Sequence, residues 1–104
     1  MFDYSKVDEV IKRIIYAVNP KLIIVFGSVA RREARDDSDL DILVVFEGDV
    51  DEKQMYYEIS GLFIGLRLPF DLLIMSEAKF NHYKDKDYSF THKIVTTGEV
   101  VYAQ

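Results

Sequence analysis

Leu22-Ile23-Ile24-Val25-Phe26-Gly27-Ser28 and, after ten intervening residues, Asp39-Leu40-Asp41-Ile42-Leu43-Val44-Val45-Phe46 decide how this chain is read. Each segment holds a continuous run of β-branched, aliphatic and aromatic side chains. Such runs suit strands buried on both faces. Gly27 ends the first run, and Ser28 can cap a short helix reaching Arg35. Asp36-Asp37-Ser38 has the composition of a turn. In a strand, residues i and i+2 share a face, so Asp39 and Asp41 stand roughly 7 Å apart on one side.

Working outward, Ser5-Lys6-Val7-Asp8 reads as a capping box. Val7, Val10, Ile11, Ile14 and Val18 then recur at helical spacing until Pro20. Beyond the second strand, Glu47-Gly48-Asp49 is a turn. A helix starts near Asp51, with Met55, Ile59, Leu62, Phe63 and Leu66 on one face, and runs to Pro69. Inside it, Gly61-x-x-x-Gly65 is read as close packing against another backbone. Phe70 to Met75 is a third strand. Ser76 caps a short helix to about Tyr83, and Asp85 to Asp87 loops. Phe90, Ile94 and Val95 mark a last helix capped by Gly98, and Glu99 to Tyr102 is a final strand. The pattern predicts an α+β fold in which helices pack on one mixed sheet.

Three features carry chemistry. Gly27 lets backbone approach a phosphate, and the following helix start offers N–H groups, with the Ser28 hydroxyl and Arg31 as further donors. By itself, a plain turn explains Gly-Ser as well. Asp39 and Asp41 can converge on a hard cation, or they can belong to a polar turn and a solvent-facing strand start. The apolar run from Ile42 to Phe46 weakens the second account. Asp71 sits between Phe70 and Leu72, where a carboxylate needs a partner or a metal. An edge-strand aspartate or a salt bridge to Arg67 is the bland alternative, and a one-residue slip of register would turn Asp71 away from the other two. Together, a phosphate turn, a carboxylate pair and a third carboxylate make up a two-metal phosphoryl-transfer site.

The 104 residues suit one domain, residues 1–104, and 49% apolar content is enough for a small core. Cysteine is absent, which excludes disulfides and thiolate metal sites. Asn19, Gln54, Asn81 and Gln104 are the only amides, and Lys and Glu are plentiful, a composition that leans towards a thermophile. No apolar stretch approaches a membrane span, and Met1-Phe2-Asp3-Tyr4 lacks the pattern of a signal peptide. The expectation is a cytoplasmic protein without a membrane partner. Net charge of −5 argues against a nucleic-acid partner, although two divalent cations would offset most of it. His82 and His92 have no partner at ligand spacing and read as surface or structural.

Gly27-Ser28, ten residues, then Asp39-Leu40-Asp41 resembles the Gly-Ser…Asp-x-Asp signature of the polymerase-β-like nucleotidyltransferases. Gly27-Ser28-Val29-Ala30-Arg31 through Ser38-Asp39-Leu40-Asp41-Ile42-Leu43-Val44 is similar to their minimal nucleotidyltransferase (MNT) branch. Asp71 and the tail from Ile94 through Gly98 to Tyr102 extend the likeness over most of the chain. The resemblance implies a polymerase-β palm-like fold. It implies that Asp39, Asp41 and Asp71 are catalytic and hold two Mg²⁺ ions, for which Mn²⁺ can substitute. Asp71 would complete the metal site nearer the attacking hydroxyl. Gly27 and Ser28 would cradle the β- and γ-phosphates with Arg31 assisting, and Ser38 would join the nucleotide-binding set. The reaction implied moves a nucleoside monophosphate, AMP from ATP, to a hydroxyl and releases pyrophosphate. Many minimal members are similar to the antitoxin of a two-gene module and adenylylate a tyrosine on a helical HEPN toxin. The alternatives are an inactive fold that neutralises a toxin by binding alone, and transfer to a small molecule or an RNA end.

Overall fold

The computed structural model describes residues 1–104. In chain order the elements are α1 (Tyr4–Val18), β1 (Leu22–Phe26), α2 (Gly27–Ala30), β2 (Leu40–Phe46), α3 (Glu52–Gly61), β3 (Phe70–Ser76), α4 (Glu77–Tyr83), α5 (Phe90–Thr97) and β4 (Glu99–Ala103). The four strands form one sheet in the order β3-β2-β1-β4. β1 pairs antiparallel with both β2 and β4, and β2 pairs parallel with β3. The fold is α+β with a mixed sheet, as the apolar patterning predicts.

The two continuous apolar runs occupy the centre, where both faces of the sheet are covered. Alternation divides their side chains between two cores. Ile23, Val25, Leu40, Ile42, Val44 and Phe46 join Val10, Ile14 and Ile59 from α1 and α3. Ile24, Phe26, Leu43 and Val45 join Met75, Phe80 and Ile94 on the side of α4 and α5. Strands covered on only one face would alternate apolar with polar residues, and β1 and β2 do not.

Several local expectations are corrected by the backbone. Asp3, not Ser5, caps α1: its Oδ1 accepts from the Ser5 N–H at 3.0 Å. Asp3 lies one residue before the helix and so reaches its first free amides. α1 ends at Val18, and its cap residue Asn19, in the left-handed region, stands one residue before Pro20. α2 is a single turn that stops at Ala30, short of Arg35, and its cap position is Phe26. α3 ends at Gly61 and gives way to turns well before Pro69. A β-carbon on Gly61 or Gly65 would meet nothing within 4 Å, so close backbone packing does not explain this pair; Gly65 instead adopts φ +87°. No helix is long and apolar enough to cross a membrane.

Candidate active site

The site lies where β1 ends and β2 and β3 begin. Pairing sets Phe26 beside Asp41, and Asp41 beside Asp71, in one row across three strands. Directly paired residues project to the same face. The register therefore turns Asp71 towards the side of Asp41, the point that the sequence leaves open. Asp39 lies just before β2, two residues from Asp41. Farther along this face, Leu43, Val45 and Met75 are covered by α4 and α5. The carboxylates sit at its uncovered end, with Asp39 and Asp71 exposed and Asp41 half-buried.

Electrostatics ties the three together. The Asp41 carboxyl is raised above its ordinary pKa, first by burial, then by the negative charges of Asp71 and Asp39, against an opposing pull from Arg31. β3 is an edge strand and Asp71 is exposed on it, as one plain reading of the sequence has it. Asp71 makes no ion pair with Arg67, the ion pairs being Met1–Asp36, Arg13–Glu9 and Arg31–Glu33. No three His, Cys, Asp or Glu groups are already drawn in around a single point at metal-holding distance. An oxygen-only donor set on one face nonetheless has the chemistry that Mg²⁺ takes, with water and phosphate oxygens completing its shell.

Gly27 abuts this row. Its φ is +71°, and a β-carbon built on it would overlap Asp41 Oδ2. Any other residue would thus be strained in its backbone and would displace the carboxylate. Gly27, Arg31 and Asp41 line one pocket of about 200 Å³, together with Phe26 and four residues of α5: Phe90, Lys93, Ile94 and Thr97. Ser28 follows Gly27 inside α2. Ser38 immediately precedes Asp39; its Oγ accepts from the Arg35 N–H at 2.7 Å, and it lines a hollow beside Asp3, Asp36 and Arg67. A hollow of about 510 Å³ at Phe63, Ile64, Leu68 and Phe70 has more room but no carboxylate. Volume alone therefore does not pick the site.

The α5 residues escape a reading of the sequence. Phe90, Lys93, Ile94 and Thr97 follow i, i+3, i+4, i+7 spacing, which puts them on one helix face. Nothing in that spacing says that the face turns towards Asp41. His92 is structural, as expected, with Nδ1 2.8 Å from the Lys84 carbonyl oxygen.

The pattern of the family described as polymerase beta, nucleotidyltransferase matches residues 9–104. The chain belongs to this nucleotidyltransferase family. A Methanocaldococcus jannaschii protein named as a candidate protein adenylyltransferase is 35% identical over 82 residues, 79% of this chain and 78% of its own length. Among solved structures, a candidate nucleotidyltransferase from Sulfolobus solfataricus aligns with a TM-score of 0.64 at 23% identity, over 96% of this chain and 79% of that one. A toxin–antitoxin structure with AMP-PNP aligns at 0.63 and 20% identity, over 99% and 75%. A complex of tri-AMPylated Shewanella oneidensis HEPN toxin with MNT antitoxin aligns at 0.52 and 20% identity, over 96% and 69%. At these identities the structural likeness is one of fold. It agrees with the nucleotidyltransferase family and with the mixed sheet described above.

Proposed function

We propose that this nucleotidyltransferase transfers AMP from ATP to a hydroxyl on a protein partner, a tyrosine of a helical HEPN-type toxin, and releases pyrophosphate. The observation that carries the reading is the row Phe26–Asp41–Asp71 with Gly27 packed against its middle carboxylate. It sets a close-approach backbone position for a polyphosphate beside a carboxylate cluster suited to divalent cations. The partner is suggested by the adenylyltransferase named among the relatives and by the toxin–antitoxin complexes of similar fold.

In the proposed reaction the acceptor oxygen attacks the α-phosphorus. The bond from that phosphorus to the α,β-bridging oxygen breaks, pyrophosphate leaves, and the hydroxyl proton passes to water. Asp39, Asp41 and Asp71 would hold two Mg²⁺ ions, or Mn²⁺ in their place. The ions would neutralise phosphate charge and lower the pKa of the attacking hydroxyl. A phenol, with a pKa of about 10, is easier to activate than an aliphatic hydroxyl. Gly27 and Ser28 would receive the polyphosphate, and Arg31 would add a positive charge on the same side.

The test incubates this protein and a purified HEPN-type partner with Mg-ATP and reads the partner's intact mass. Wild type should add AMP increments that map to tyrosine, and Asp39→Asn should add none. Neutralisation of the partner by both proteins with no mass change would replace transfer by binding alone. AMP on a small molecule or an RNA end, with an unmodified partner, would move the acceptor.

A further inference from the structure

We propose that α5 forms the second wall of the nucleotide site, with Lys93 holding the triphosphate and Phe90 stacking on the base. The inference rests on the nucleotidyltransferase reading of the carboxylate row and assigns that site two residues outside the Gly-Ser and aspartate elements.

The pocket beside Asp41 has two walls. One is the start of α2 with the residue that follows it, Gly27 and Arg31; the other is α5, which contributes Phe90, Lys93 and Thr97. Lys93 is exposed and enters none of the ion pairs of the molecule, so its ammonium is available to a ligand. Arg31 lies across the pocket, with its Nε 3.2 Å from a Glu33 carboxylate oxygen. A triphosphate bound between them would meet a cation on each side, which the acidic chain otherwise lacks at this spot. Thr97 is less available, because its hydroxyl donates to the Lys93 carbonyl at 2.6 Å.

Phe90 is 57% exposed although it is a large apolar side chain lining the pocket. Its ring stands edge-on to Phe26, with centroids 5.8 Å apart and planes at 83°. That contact braces the ring from one side. A base stacked on Phe90 would cover apolar surface that water now contacts.

α5 is also a firm support. Ser89 Oγ accepts from the His92 N–H at 3.0 Å and donates to the Tyr83 carbonyl at 2.7 Å. At the other end, a β-carbon on Gly98 would stand 2.6 Å from the Ile94 carbonyl oxygen and 2.9 Å from that of Val25. The helix end is thus held against β1.

The test is calorimetric titration of the full chain with two probes, Mg-ATP and inorganic tripolyphosphate with Mg²⁺. Lys93→Ala should weaken both probes by about tenfold, the scale of one charge-assisted contact, and Lys93→Arg should restore both. Phe90→Leu, which keeps the apolar contact with Phe26, should weaken Mg-ATP by about tenfold and leave tripolyphosphate unchanged, because only the nucleotide carries a base. Wild-type affinity for both probes in both variants overturns the α5 assignment while the nucleotidyltransferase reading stands. Failure of the wild-type protein to bind Mg-ATP at all overturns both. Equal weakening of the two probes by Phe90→Leu overturns the base platform.

Discussion

Gly27 and Asp41 constrain each other at the level of single atoms. Gly27→Val introduces a branched side chain at φ +71° and into the space of Asp41 Oδ2. The backbone conformation alone should cost about 1–2 kcal/mol, read as a lower urea midpoint. Mg-ATP binding should disappear, because the side chain occupies the approach of the phosphates. Ser28→Ala leaves the backbone donors in place and should lose only about 1.5–3 kcal/mol of binding, one hydrogen bond to a charged group. Abolition by Ser28→Ala with binding retained in Gly27→Val would show that the phosphates lie elsewhere. Asp41 has a pH signature as well. Its pKa in the fold is raised by burial and by Asp71 and Asp39. Folding therefore favours the protonated form. The associated stability is fully present below the unfolded-chain pKa and is lost as pH rises through the folded one. Without metal, Asp41→Asn should melt above wild type at neutral pH, and the gap should close as pH falls through the carboxylate range. A constant gap at every pH would remove the ionised carboxylate as its cause.

Elements are decided largely by their ends. Ser76 is a legible cap, Ser89 one that the structure adds, and both side chains accept from the amide three residues on. Ser89→Ala should destabilise the protein by about 1 kcal/mol in chemical denaturation, since it removes the cap of α5. No change would mean that the Ser89 contacts do not hold this helix end. Where ends were misread, competing signals explain it. Asp3 and Ser5 are both good capping residues, and only the backbone path says which comes first. Arg31 to Ser38 contains residues tolerated in helices, yet α2 stops after one turn. Arg32 sits at φ +59°, and an L-residue there does not continue a right-handed helix.

Across the whole molecule, one sheet serves two cores and one site. Ile42 is fully buried at the centre of β2 and belongs to the larger core. Ile42→Ala should cost about 2–5 kcal/mol in urea unfolding, because neighbours on both sides limit collapse into the space left. A cost under 1 kcal/mol would mean that the core relaxes freely around β2. The widest apolar hollow, at Phe63 and Phe70, lies apart from the acidic row. The acidic row is therefore set apart by charge and not by concavity.

The local order of residues was enough to determine the strands, most helices and the pairing of Asp39 with Asp41. Period-two alternation, apolar runs and capping residues all act within a few positions of the chain. The Gly-Ser…Asp-x-Asp spacing also pointed to the family. Whether Asp71 faces Asp41 depended on the parallel register of β2 and β3, which is set by cores on both faces of the sheet. The placing of Phe90 and Lys93 beside Gly27 was decided in the same way. These are contacts between segments distant in sequence. Only the packing of α5 against β1 brings them together.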